Sequence, residues 1–257
     1  GSLSEWQLFE SMQVFCSPYE DAVSNAALEE VLFRRRPVEA CLLFYRNVDS
    51  VLWGRNQNPL HECALQQCLS EKVMLIRRIS GGGTVYHDGG NLNYSFVLPR
   101  QVWEPTRWVG LVVQALQDLG VPGVYACSRH SIWLDSRKVS GSAFALSGPS
   151  VMFHGCILVQ TNLDRLEKLL TPEIPAMQES SGRMIASVRS PVVNLREVCP
   201  TLTIEVLIRA ICNSVRKNGS RDLPMSAPEL LQLPESELEP YRKKFSDPAW
   251  TFELIKR

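Results

Sequence analysis

Arg77-Arg78-Ile79-Ser80-Gly81-Gly82-Gly83-Thr84-Val85-Tyr86-His87-Asp88 is the stretch on which the fold turns. Two arginines leave an apolar run, Val73 to Ile76, and enter three consecutive glycines before a further strand begins. Glycine admits φ > 0 and lets backbone approach a ligand closely. Backbone N–H groups in such a loop can surround an anion, and a guanidinium beside them can add paired hydrogen bonds to phosphate or carboxylate. A plain hairpin turn with solvated arginines fits three glycines alone equally well. No G-K-S/T follows and no helix opens from a G-x-G-x-x-G, so neither common nucleotide loop applies.

Outward from the loop, strands come in hairpins and helices lie between them. Ser17-Pro18-Tyr19-Glu20 reads as a capping box, and Val23, Ala26, Ala27, Leu28 and Val31 recur at helical spacing, predicting a helix over 18–35. Ala40 to Tyr45 and Ser50 to Trp53 flank Arg46–Asp49 as a β-hairpin. A helix is expected over 59–69 and a strand over 91–98. A helix over 106–119 is closed by Gly120 and Pro122. Ser131–Asp135 with Lys138–Ala145 predicts a second hairpin, followed by a strand over 151–160 and helices over 163–170 and 204–215. Residues 171–190 read as a long surface loop, more often functional than idle at this length. The polar stretch 217–235 leads to a last short helix. The class is α+β, with a mixed, mainly antiparallel sheet flanked by helices.

Composition narrows the function. Twenty-seven basic and twenty-seven acidic side chains cancel, which gives no support to nucleic-acid or membrane-surface binding. No apolar run approaches the ~20 residues of a membrane span. None of the eight cysteines pairs in a C-x-x-C spacing, so no metal site is expected and the thiols read as reduced, with Cys41 and Cys156 as small core hydrophobes.

A second constellation, Arg137-Lys138-Val139-Ser140-Gly141-Ser142-Ala143, carries a cation into a strand of small residues, which leaves room for a ligand. A surface hairpin lysine is the plain alternative. In Phe153-His154-Gly155-Cys156, a lone His within an apolar strand is more often a satisfied core histidine than a catalyst.

Together and in order, these pieces resemble the lipoate–protein ligase A and lipoyltransferase family, whose catalytic domain has the biotin/lipoate protein ligase fold. Gly54-Arg55-Asn56-Gln57-Asn58 is similar to its G-R-x-Q-N segment. Arg77 to Asp88 with Gly90-Asn91-Leu92-Asn93 resembles its R-R-x-S-G-G-G-x-V-x-H-D-x-G-N-x-N signature. Arg137 to Ala143, His154-Gly155, and Ser187-Val188-Arg189-Ser190 with Val193-Asn194-Leu195 resemble three further elements, so the likeness spans about 17–215. The resemblance implies a lipoyl group passed through lipoyl-AMP to a lysine of a lipoyl domain, either on an E2 subunit of a 2-oxoacid dehydrogenase or on the glycine-cleavage H protein. Lys138 would stand at the mixed anhydride as the catalytic cation. Lipoate and its adenylate would be held by Arg55, Asn56, Arg77, Arg78, Ser80, Gly81, Gly82, Gly83, Thr84, Val85, His87, Asn91, Ser140, Gly141, Ala143, His154 and Gly155. ATP and Mg²⁺ are co-substrates in the family's ligases.

Two departures bear on activation. Where the family has an Asn-Asp or Phe-Asp pair near nucleotide and Mg²⁺, this chain has His130-Ser131, with Asp135 close by in sequence. Ala249-Trp250-Thr251-Phe252 resembles the junction to an accessory domain. The expected division is therefore Gly1-Ser2 as a cleavage scar, one catalytic domain over 3–246, and 247–257 as the start of a missing or truncated C-terminal extension. The resemblance covers acyl transfer and leaves activation by ATP open.

Two other functions stay open on the sequence. One is an octanoyl or lipoyl transferase working through a thioester on Cys127, with His130 as the nearest base; the other is a non-catalytic protein that binds lipoyl domains. Pro200 to Leu207 resembles the animal-type transferases, which implies the mitochondrial matrix (the cytoplasm if the source is bacterial). A monomer is the expected state.

Overall fold

The computed structural model describes residues 4–174, 185–219 and 227–253. In chain order, helix α1 (Glu5–Ser11) leads to strand β1 (Gln13–Cys16), helix α2 (Ala22–Arg34), and strands β2 (Cys41–Tyr45) and β3 (Ser50–Trp53). A 3-10 turn (Pro59–His61), helix α3 (Leu65–Ser70) and strands β4 (Met74–Arg77), β5 (Val85–His87) and β6 (Asn91–Pro99) follow. Then come helix α4 (Pro105–Asp118), strands β7 (Val124–Ala126), β8 (Ile132–Leu134), β9 (Arg137–Ser147) and β10 (Ser150–Leu158), and helices α5 (Leu163–Leu169) and α6 (Ile204–Lys217). A short strand β11 (Glu229–Leu230) and helices α7 (Glu235–Ser246) and α8 (Pro248–Thr251) complete the order.

Eight strands form one sheet in the order β11-β1-β2-β6-β10-β9-β8-β7, parallel at β11-β1-β2 and antiparallel beyond. A three-stranded sheet, β4-β3-β5, carries the glycine loop between β4 and β5. The expected α+β class with a mixed, mainly antiparallel sheet holds.

Strand β6 shows how the layers are assigned. Its side chains alternate, so Leu92, Tyr94, Phe96 and Leu98 enter a core with Trp108, Val112 and Leu116 of α4 and Leu207 and Ile211 of α6. The opposite face presents Asn91, Asn93 and Ser95 before Val97 joins Leu28, Val31 and Leu32 of α2. One half of the sheet's second face is thus polar yet buried, and the functional cavity lies there.

Three local expectations are corrected. β2 and β3 are not a hairpin: β2 pairs with β1 and β6, and β3 pairs with β4 and β5. Both strands are buried throughout, and an all-apolar strand is satisfied by any neighbour, so adjacency in sequence did not decide its partner. The Ser17 capping box is also absent. Asp21 caps α2 by accepting from Ser24 N at 2.8 Å, while Ser17 Oγ donates to Asn25 Oδ1 at 2.5 Å. The helix expected over 59–69 divides into the 3-10 turn and α3, with Ala64 between them at non-helical dihedrals.

The hairpin of β8 and β9, strand β10 and helices α4, α5 and α6 match their predicted places within a few residues. Residues 175–184 of the expected loop and 220–226 of the polar stretch lie outside the described residues. No helix of the described residues is long and apolar enough to cross a membrane.

Candidate functional site

The glycine loop is held from behind by Arg78. Its Nη2 donates to Gly81 O and Gly83 O, both at 2.7 Å, and Nη1 donates to Leu52 O at 3.1 Å. A trans peptide places N–H opposite C=O. With both carbonyls turned to Arg78, the N–H groups of Gly82 and Thr84 therefore point away from it. Thr84 N meets Ser187 Oγ at 2.9 Å, and the N–H groups of Gly81, Gly82 and Gly83 have no partner among the described residues. Burial pushes the Arg78 guanidinium down to about 10, still charged at neutral pH. Gly82 sits at φ +85°, where a side chain is strained, and packs on Ala143. Gly54 is equally constrained, since a Cβ there would stand 2.3 Å from Gly82 O.

Gln57 knots the loop to two other segments. Its Oε1 accepts from Gly54 N at 2.9 Å and Thr84 Oγ1 at 2.8 Å; its Nε2 donates to Ile185 O and Ser187 Oγ, both at 3.1 Å. Ser187 in turn donates its hydroxyl and its N–H to the buried Glu62 carboxylate.

Two cavities meet around Lys138. The larger, about 910 Å³ with its open mouth included, has apolar walls from Ala22 and Ala26 of α2, Leu52, Ile76, Met152 and Phe245. The smaller, about 750 Å³, is bounded by Ser140, Leu158, Leu166, Leu170, Arg189 and Ser190. Thr84, Val85, Lys138, Gly141, Cys156 and Ser187 line both. The backbone of Lys138 is pinned by N–H to Pro191 O at 2.8 Å and C=O to Val193 N at 3.0 Å. Its ammonium lies against Gly141, 3.4 Å from where a Cβ would be, and has no hydrogen-bond or ion-pair partner among the described residues. A fixed, unpaired cation at the junction of two cavities suits a ligand with an anionic centre between two arms.

A buried polar chain crosses the larger cavity's wall. His154 Nδ1 lies 2.8 Å from Glu29 Oε2, His154 Nε2 lies 2.6 Å from Ser80 Oγ, and Tyr45 OH donates to Glu29 Oε1 at 2.7 Å. Burial raises the Glu29 carboxyl, but the charge and hydrogen bond of His154, with Tyr45, outweigh it and leave the net value below the ordinary one. The lone histidine of β10 is thus satisfied on both nitrogens and also lines the cavity. His87, buried near Arg78 and His154, is pushed down to about 3, first by burial and then by those charges.

The expected site residues divide. Arg78, Gly83, Thr84, Val85, His87, Lys138, Gly141, Ala143, His154 and Gly155 line the larger cavity, and Ser140 the smaller. Ser80, Gly81 and Gly82 complete the loop behind them.

Arg77 is a correction. Its guanidinium is buried and donates to the backbone carbonyls of Arg55, Gln57, Trp250 and Glu253, so it ties the α8 segment to the Gly54–Gln57 turn and is spent before any ligand arrives. Arg55 stacks over Trp250 at 4.5 Å, Asn56 is exposed, and Asn91 is buried against Asn93, all outside both cavities. Cys127 also lies outside them, its N–H bonded to Ser131 O at the β7–β8 turn. Asp135 lies against Gly123 at that end of the sheet. Cys156 corrects the core reading: it is half-buried and lines both cavities.

Glu29, Tyr45, Asn47 and Glu62 were missed. One signal existed: Glu29 falls seven residues after Ala22 and three after Ala26, on the stripe that α2 buries, where a carboxylate needs a partner.

Residues 21–216 match the family model for the lipoyl protein ligase A/B catalytic domain. A putative lipoate-protein ligase A of Schizosaccharomyces pombe is 37% identical over 221 residues, covering 84% of this chain and 58% of the relative. The chain thus spans less than two thirds of that relative. Among solved structures, P. falciparum LipL1 in complex with lipoate superposes at TM-score 0.82 and 23% identity, over 96% of this chain and 75% of that one. The bipartite lipoate protein ligase of Thermoplasma acidophilum, described with its E2 lipoyl domain, superposes at 0.76 and 24% identity, over 96% and 98%. With a site of this geometry and a match over most of its length, the chain belongs to the lipoyl protein ligase A/B catalytic domain family.

Proposed function

We propose that this chain transfers a lipoyl group from lipoyl-AMP to a lysine of a lipoyl domain. The observation that carries the reading is the unpaired ammonium of Lys138 at the wall shared by the two cavities. The apolar walls of the larger cavity suit the acyl tail. The smaller takes the adenylate and admits the acceptor, and the unpartnered Gly82 N–H, turned away from Arg78, is left for a phosphate oxygen where the two cavities meet.

In the reaction the acceptor amine adds to the acyl carbon, the C–N bond forms, and the C–O bond to phosphate breaks. AMP departs with the electron pair, and the amine proton passes to the phosphate or to water. Negative charge grows on the acyl oxygen and then on the leaving phosphate. The Lys138 ammonium, carried on a backbone held at both its N–H and its C=O, is free of any competing partner among the described residues and can meet both.

Among the described residues no group of three His, Cys, Asp or Glu side chains could hold a metal ion. Glu29 is engaged by His154 and Tyr45, Glu62 by Ser187, and Asp135 lies away from both cavities.

An E2 lipoyl domain is the acceptor favoured by the archaeal relative described with one. The H protein as a second acceptor, a monomeric state and a place in the mitochondrial matrix complete the proposal.

The test is the intact mass of an apo lipoyl domain after incubation with enzyme and either lipoyl-AMP or lipoate plus ATP. A gain of one lipoyl group is expected with the adenylate, and Lys138→Ala slows it about 10²–10³-fold. No gain with either donor overturns the reading, and near-normal transfer by Lys138→Ala removes the role given to that lysine. The ATP arm separates a ligase from a transferase.

A further inference from the structure

The hydrogen bonds behind His87 run in one direction. Backbone carbonyls only accept, and those of Tyr19 and Arg46 face Asn25 Nδ2 at 3.2 and 3.1 Å. The same nitrogen donates to Asn47 Oδ1 at 2.8 Å, so Asn47 turns its own Nδ2 to His87 Nδ1 at 3.1 Å. Nδ1 must accept, which places the ring hydrogen on Nε2. With its pKa pushed down to about 3, the ring stays neutral at physiological pH. Nε2 is buried without a hydrogen-bond partner, although the residue is only 4% exposed and lines the acyl cavity. Asn93, 2% exposed, repeats the pattern in the same cavity: its Oδ1 accepts from Asn91 Nδ2 at 3.1 Å and its Nδ2 is left without a partner.

The register locates Asn93, while His87 reaches the same cavity from β5 of the smaller sheet. Tyr45, Asn93, Cys156 and Gly141 are direct neighbours across β2, β6, β10 and β9, and so share one face of the sheet. Gly141 marks the Lys138 ammonium. Asn93 lies two inter-strand spacings away, roughly 10 Å. An acyl chain with its carbonyl at Lys138 thus carries its far end toward Asn93, in the cavity that His87 also lines.

We infer that His87, seconded by Asn93, selects an acyl chain whose far end bears a hydrogen-bond acceptor, the ring sulfurs of a dithiolane, over an all-carbon chain of similar length. The inference rests on the lipoyl-transfer reading above. An all-carbon tail offers both N–H groups no acceptor, which leaves buried donors unsatisfied. A ring sulfur is a weak acceptor, but it is an acceptor.

The test compares three non-hydrolysable acyl-sulfamoyl adenosines by titration calorimetry on the unmodified protein: lipoyl, octanoyl, and a lipoyl analogue with cyclopentyl in place of dithiolane. The lipoyl compound is expected to bind at least about tenfold tighter than the cyclopentyl one. In His87→Phe that preference falls toward unity while the octanoyl compound binds as well or better; His87→Gln, which keeps an N–H donor, retains part of it. Equal binding of all three to the wild type overturns the inference and leaves the transfer reading standing. Persistence of the preference in both His87→Phe and Asn93→Leu also overturns it. Binding of none of the three refutes the acyl-adenylate reading itself. The ligand comparison needs no substitution, so it decides the matter even if His87→Phe does not fold.

Discussion

His154 Nδ1 stands 2.8 Å from the Glu29 carboxylate, joining the middle of helix α2 to the sheet strand that floors the acyl cavity. Both residues are buried, so neither is hydrated in place of the other. Glu29→Gln removes the charge and lowers stability by about 3 kcal/mol near neutral pH. The folded Glu29 carboxyl titrates below its unfolded value of about 4.3. Its contribution is therefore present above that pH and is lost as pH falls through the folded value. Thermal melts of wild type and Glu29→Gln should differ at neutral pH, and the gap should begin to close only below about pH 4.3, as the pH falls toward the lowered folded value. A gap that stays constant into acid would show that the pair contributes through shape alone.

Arg77 belongs to the framework. Arg77→Met removes the guanidinium donor from the carbonyls of Arg55, Gln57, Trp250 and Glu253, of which the bond to Gln57 is fully buried, and is expected to cost about 3 kcal/mol of stability. Affinity for an acyl-adenylate mimic, measured well below the melting temperature, should be nearly unchanged. A selective loss of binding with an unaltered melting temperature would return Arg77 to the ligand.

Gly54 and Gly89 make a matched pair. A methyl on Gly54 meets Gly82 O at 2.3 Å, whereas one on Gly89 meets nothing within 4 Å. Gly54→Ala must displace the glycine loop from its place, and a shift of that size costs about 10²-fold in transfer rate. Gly89→Ala should transfer normally. Equal rates in the two variants would mean that the loop's position is not set by this contact.

Cys127→Ala should leave transfer from lipoyl-AMP unaltered, because the thiol lies outside both cavities. The check is the mass gain on a lipoyl domain, with a search for an acyl adduct on the enzyme. An adduct on Cys127 together with loss of transfer in the variant would restore the thioester route.

What the sequence determined by itself was the set of local elements with a strong period or an unusual composition. The apolar alternation of β6, the helical spacing of α4 and α6, and the glycine and lysine segments depend only on near neighbours in the chain, and these carried the fold class and one side of the cavity lining. What only the tertiary structure decided was partnership. Two buried apolar strands, β2 and β3, could pair with almost any neighbour, so their separation into different sheets was not written locally. Arg77 and Arg78 are adjacent and chemically identical, yet strand alternation sends one guanidinium to the α8 segment and the other to the glycine loop. Glu29, Asn47 and Glu62 look like ordinary polar residues until 125, 40 and 125 positions of chain are brought back to place His154, His87 and Ser187 beside them. A buried charge or amide acquires its role from what faces it, and that is fixed only when the whole chain has packed.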